Sequence, residues 1–293
     1  MFKKFIRNPC AKVEDFYYPR LPRSPLQELQ LGRTVQNHPL EVSLGQPESD
    51  LDGQVLPIKI YTLGRFAMFI DGKSVEFGRK APKRPLGLLK ALIAFGARSV
   101  EINRLMKAVW PDQGAAARSA FDVALMRLRK LLRNPEALVL AGSTLSLNPQ
   151  FCWVDIWTFE RTAAYSDFHS LPSIAKLNDI YRGHFLEHEG DQSWIGNLRD
   201  RLAARYREFI LRLAQSQERS ENWSLAAQIY RLALEHDNLT EEFHYRLMLC
   251  ELRLGRRAEA IKTYRRCSTL LSINLQVKPS QLIETLYQKA LAG

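Results

Sequence analysis

Four pairs of residues stand 34 positions apart in one phase: Phe209 and Phe243, Leu213 and Leu247, Ala226 and Ala260, Tyr230 and Tyr264. That is the period of stacked helical hairpins, in which no single repeat buries its apolar face alone. Each copy puts a small Ala where two helices must cross closely and a Tyr one turn later. Apolar residues recur at helical spacing through almost all of the chain beyond residue 151. Residues 151–293 are therefore expected to form an α-helical repeat domain.

The charge of the chain is distributed in a way that a repeat domain alone does not explain. Its net charge is +11, yet residues 57–150 hold 16 Lys/Arg against 6 Asp/Glu. Residues 1–56 carry 7 of each, and residues 151–293 carry 19 against 18. Nearly the whole excess thus falls in one block of about a hundred residues, a size typical of one domain. Charge confined in this way fits a polyanionic partner better than it fits general solvation.

Within that block the pattern changes from strands to helices and back. "PIKIYTLGRFAMFIDGKSVEF" reads as short strands broken at Gly64 and at Asp71-Gly72. "APKRPLGLLKALIAFG" has Pro82 and Pro85 suited to a helix start and Gly96 to its end. "SVEINRLMKAVWP" gives a shorter helix, and "RSAFDVALMRLRKLLR" a third, over residues 118–133. "ALVLAGSTLSLNP" closes the block as a hairpin around Ala141-Gly142-Ser143. Strands, three helices and a hairpin are the layout of a winged helix.

The third helix carries the sharpest signal. Phe121, Leu125, Leu128 and Leu132 form its apolar stripe, and five Lys/Arg stand against the single acid Asp122. Ser119, Val123, Met126, Arg127 and Lys130 fall on the side away from the stripe, and these are the expected base-reading residues in a major groove. Arg118, Arg129 and Arg133 lie along one flank and are expected on phosphates. Lys80, Lys83 and Arg84, at the start of the first long helix, are expected to hold a further phosphate. Thr144, beside Ser143 in the hairpin, is expected to reach phosphate too.

The stretch "VEINRLMKAVWPD…RSAFDVALMRLRKLL" resembles the response-regulator (OmpR-type) winged helix. "YRGHFL", "AAQIYRLALEHD", "LGRRAEAIKTYRRC" and "KPSQLIETLY" look like the bacterial transcriptional activator domain. The two in this order, over about residues 57–290, resemble SARP-type bacterial transcriptional regulators. The resemblance implies a base contact at Arg127 and phosphate contacts at Arg129 and Trp110. It also implies promoter DNA and RNA polymerase as partners, the polymerase facing the loop from Pro111 to Ala117. One departure is the wing: relatives commonly carry an Arg there, and "AGSTLSL" has none. Met126 also stands where many relatives have a second basic residue.

The expected fold is mainly α with a small β component: a winged-helix DNA-binding domain over 57–150, then a tetratricopeptide-like repeat domain over 151–293. Residues 1–56, rich in Pro and without periodicity, are expected to be a flexible arm or linker. Cys10, Cys152, Cys250 and Cys267 are widely spaced, with no C-x-x-C, so reduced thiols are expected rather than a zinc module. "HFLEH", His184 to His188, matches an inverted zinc-peptidase string, but Gly183 and Gly190 bracket it where a long helix would be needed. There is no G-x-x-x-x-G-K-[ST]. No cofactor, metal or catalytic group is expected. No apolar run is long enough for a membrane span, and the N-terminus lacks a signal-peptide core, so the expected location is cytoplasmic. Trp153, Trp157, Trp194 and Trp223 are expected in packing, and the Arg pairs 256–257 and 265–266 on an ion-paired face beside Glu251 and Glu259. The repeats are expected to bind a second copy or another protein. The competing expectation is a helical-repeat scaffold whose basic block binds nucleic acid without sequence preference.

Overall fold

The computed structural model describes residues 56–78, 81–165, 177, 179–190 and 192–292. The N-terminal arm, residue 56 apart, and Lys80 lie outside the described residues. The chain opens with β1 (Ile58–Tyr61), β2 (Ala67–Ile70) and β3 (Lys73–Ser74). Three helices follow, α1 (Lys83–Ala94), α2 (Ile102–Val109) and α3 (Ala117–Leu132), with the two-residue β4 (Val100–Glu101) before α2. The hairpin is β5 (Leu138–Ala141) and β6 (Thr144–Leu147), paired from Leu138 with Leu147 to Ala141 with Thr144. β4 joins it on the free edge of β6, giving a three-stranded wing. The expected winged-helix order is present.

Local rules account for these limits. α1 starts after Pro82, and Pro85 sits in its first turn, where a missing N–H costs no helical bond. It stops at Gly96 (φ 103°), where Gly96 N–H donates to the Ile93 carbonyl and Ala97 N–H to Leu92, at 3.0 and 2.8 Å. That is a Schellman ending, and glycine adopts its left-handed residue without steric cost.

A short strand not expected from the pattern, β7 (Cys152–Val154), runs parallel to β1 and completes a sheet of order β3-β2-β1-β7. This sheet reaches across the boundary expected at 150/151. β7 leads directly into α4 (Asp155–Tyr165), whose first residue closes the joint. Asp155 is 1% exposed. Its carboxylate accepts from Thr62 N–H (2.5 Å), Thr62 Oγ1 (2.7 Å), Leu63 N–H (2.7 Å) and Ile156 N–H (2.8 Å). Residues 184–187 then pair with the same segment: Gly64 N–H donates to His184, Leu186 N–H to Thr62 and Glu187 N–H to Gly64. A side chain on Gly64 (φ 87°) would meet the Arg182 carbonyl oxygen at 3.0 Å, so the close approach requires glycine.

The rest is helical: α5 (Ser193–Arg219), α6 (Trp223–His236), α7 (Glu241–Arg253), α8 (Arg257–Leu275) and α9 (Gln281–Ala292). Each packs on the next, and α9 returns against α7. The residues matched at an offset of 34 occupy equivalent places: Phe209 and Leu213 on α5, Phe243 and Leu247 on α7, Ala226 and Tyr230 on α6, Ala260 and Tyr264 on α8. All are buried except Tyr264, which is half-buried and stacks on Tyr287 with ring centres 3.9 Å apart.

The turns repeat as well. Asn222 N–H donates to the Gln217 carbonyl, and 34 residues on Arg256 N–H donates to Glu251. Each turn has one left-handed residue, Gly255 (φ 71°) in the second hairpin but Glu221 (φ 56°) in the first. A side chain in that conformation is strained by roughly 1–2 kcal/mol. Glu221→Gly is therefore expected to raise stability by about 0.5–1 kcal/mol, part of the relief being offset by the freer unfolded chain. Urea denaturation checks it; a fall in stability would mean that the Glu221 side chain contributes more than its backbone costs.

Candidate nucleic-acid interface

α3 follows a single 3-10 turn (Gly114–Ala116) and ends at Arg133, itself left-handed (φ 55°). Ala117, Phe121, Ala124, Leu125, Leu128 and Leu132 are its buried face. The helix packs on α1 and α2. At 100° per residue, the ridge opposite that face is Ser119, Val123, Met126 and Lys130. All four are exposed, Val123 by 42% and Met126 by 63%, and Arg127 is exposed beside them. The five expected base-reading residues thus share one outward surface.

The residues expected on phosphates are more varied. Arg118 lies on the flank, its Nε 3.3 Å from Asp122 Oδ2 and its guanidinium carbon 5.7 Å from the Phe121 ring centre. Such an exposed i,i+4 pair is weak and leaves the Arg open to exchange for another anion. Arg133 is exposed. Arg129 is half-buried, and its Nε is buried without a hydrogen-bond partner. Lys83 is exposed at the start of α1, whose first turn has no capping side chain and no acid. Arg84 is exposed too, but its Nη1 donates to the Val109 carbonyl at 2.5 Å, tying α1 to the end of α2.

Two expectations need correction. Trp110 is not placed for phosphate: it is 3% exposed and meets Phe121 edge-on, ring centres 6.4 Å apart. The large apolar area of an indole is better covered beneath α3 than left in water. Thr144 is half-buried, and its hydroxyl donates to the Ala141 carbonyl at 2.9 Å. Its one proton is committed to the turn, so it offers a phosphate oxygen no free donor.

The block's cations are not all surface charge. Lys59 is buried, and Lys90 pairs with Glu189 while lying 4.4 Å from the Phe66 ring centre. Arg104 and Lys107, one turn apart on α2, were not singled out by periodicity. They line a shallow groove of about 290 Å³ with Phe95 and Trp194 of α5, and Arg104 stands 4.0 Å over the Phe95 ring. Only their i,i+3 spacing on the short helix's polar side hinted at a shared face.

The other sequence signals resolve into packing. His184 to His188 is irregular backbone pairing with residues 62–64, and no group of three or more metal-ligating side chains occurs among the described residues. Trp194 packs on Phe95 at the joint (6.4 Å), and Trp223 lies under Arg253 (5.6 Å). Glu251 and Glu259 do not pair with the Arg pairs beside them: Glu251 is buried against Arg231 and Thr263, and Glu259 pairs with Lys262. Arg257 instead donates to the Ala290 and Leu291 carbonyls of α9. Among the described residues, no helix is long and apolar enough to cross a membrane.

A winged helix presenting a basic third helix, fused to helical hairpins, defines a class of two-module transcription regulators. Residues 154–291 match the family of the bacterial transcriptional activator domain, and this match over the helical part of the chain supports a transcriptional regulator of the SARP kind. No match is found among curated proteins. Among solved structures, the chain is similar to EmbR of Mycobacterium tuberculosis, seen in complex with a low affinity phosphopeptide, with a TM-score of 0.54 at 20% identity. The likeness covers 80% of this chain and 65% of that one, so this chain spans about two thirds of EmbR's length.

Burial separates the two large side chains of this surface. Trp110→Ala is expected to cost about 3–5 kcal/mol of stability by emptying a core site. Met126→Ala should stay within about 0.5 kcal/mol of the parent. Denaturant titration measures both; a small cost at Trp110 would return it to the surface.

Proposed function

We propose that the protein is a sequence-specific DNA-binding transcriptional activator, without enzymatic activity, that docks α3 in the major groove of promoter DNA. The observation that carries this reading is the outward surface of α3, where Ser119, Val123, Met126, Arg127 and Lys130 are all exposed on a helix with a single acid. A helix of this width fits the groove, and Arg or Lys can donate to guanine O6 and N7. Arg133, Arg118 and Lys83 fix the register on phosphates, with Arg129 beside them on the same flank. The working division is a winged helix over 57–150 and an activator domain over 151–293, joined rigidly at β7 and Asp155.

Arg127→Ala in the full chain is expected to cost about 1–3 kcal/mol on the preferred duplex and to relax preference at one base pair. Arg133→Ala should weaken specific and random duplexes alike and lower the salt slope by about 1. Salt-dependent fluorescence anisotropy on both duplexes checks this pair. Equal affinity for every duplex in the parent protein would instead favour a scaffold with a non-specific basic block.

The activation surface in this reading is the loop from Pro111 to Ala117, exposed up to Ala116, with the repeats as a second surface for RNA polymerase, another regulator or a second copy. Gln113→Trp should lower transcript yield with purified polymerase while promoter affinity holds. Parallel loss of both would show that the loop acts only through DNA occupancy.

A further inference from the structure

Val123 and Met126 are the two apolar residues among the exposed positions of α3; the others are Arg118, Ser119, Asp122, Arg127 and Lys130. They are also large, and they are neighbours on the outermost ridge, one turn apart and a turn away from Ser119 and Lys130 respectively. A helix face that met only water or only phosphate would carry polar side chains there. Resting on the reading above, we infer that Val123 and Met126 read the 5-methyl groups of thymines, so that the preferred duplex carries thymine at two neighbouring base steps beside the base pair read by Lys130 and Arg127.

The chemistry of the groove supports this occupant. Thymine is the one base that presents a methyl group on the major-groove edge, and an aliphatic side chain is its natural partner. Three residues of helix rise about 4.5 Å, close to the 3.4 Å step between bases, so two side chains so spaced meet adjacent steps and not the same one. Charge complementarity brings the face to DNA in the first place. Arg127 and Lys130 flank the pair, Arg133 follows, and Asp122 is the lone acid among them. Met126 is unbranched and adapts to the methyl it meets, while Val123 is stiff at χ1 and demands one position. The stricter thymine is therefore the one opposite Val123.

The test begins with duplexes selected by the full chain from a random library, and then replaces each thymine singly by deoxyuridine, which removes only the methyl. Two positions should each lose about fourfold in affinity, equivalent to the ~0.8 kcal/mol gained by burying one methylene, and the remaining positions should be unaffected. Val123→Ala should abolish the uracil effect at one position and Met126→Ala at the other; both sites are exposed, so folding is not at stake. If a preferred duplex is recovered and uracil is tolerated at every position, the methyl reading is overturned and the DNA-binding reading stands. If uracil sensitivity persists in both Ala variants, other side chains meet the methyls and the assignment falls. If no preferred duplex emerges, sequence-specific binding itself fails.

Discussion

The arrangement of this chain depends on one buried carboxylate. Asp155 opens α4, but its four donors come chiefly from the end of β1, some ninety residues earlier. Thr62 and Leu63 leave the sheet at that point, and their N–H groups would otherwise be buried without partners, each at about 1–3 kcal/mol. Burial outweighs the pull of the donors and leaves the Asp155 carboxyl raised to about 6, so at neutral pH it meets those groups as an acceptor-only carboxylate. The same link fixes the parallel pairing of β7 with β1 and the entry into the helical domain. Arg199 reinforces it from α5, donating to the Phe185 and Leu186 carbonyls at 3.1 and 2.9 Å.

Charge in the winged helix divides into structural and presented parts. Lys59, Lys90 and Arg84 have packing or hydrogen-bonding duties inside the fold. What remains outward on α3 is Arg and Lys around the two apolar side chains Val123 and Met126, with Lys83 exposed at the start of α1. Net charge thus points to a candidate interface only to within a domain. Which cations belong to it follows only from the side each helix buries.

The sequence made some of this legible and hid the rest for identifiable reasons. The face of α3 was readable because four apolar residues at helical spacing leave only one outward side. The 34-residue repeat was readable because Ala and Tyr at helix crossings have few substitutes. β7 was hidden: "CWV" is three residues long, its strand partner is ninety positions away, and no local period marks a parallel edge. Asp155 looks like an ordinary helix-opening acid, and nothing nearby shows that its ligands are distant. Glu221 conceals its turn because the left-handed position carries no glycine, although Gly255 marks the equivalent one. Trp110 was misplaced by the resemblance, since its role in the core follows from the Phe121 ring and not from its neighbours in sequence. Thr144 was misplaced because the hairpin consumes its hydroxyl proton.

The apolar core runs without interruption from Ile58 in β1 through α3 and α5 to Cys250 in α7. A shared core of this kind makes the two modules one cooperative unit, so the free energy of opening either includes the surface they bury together. Any molecule that grips the folded winged helix then also protects α5 to α7 from unfolding, and a partner held by those helices steadies the winged helix by the same amount. Such reciprocity needs no moving hinge between the modules. It lets occupancy at one end of the chain be felt at the other as lifetime of the folded state.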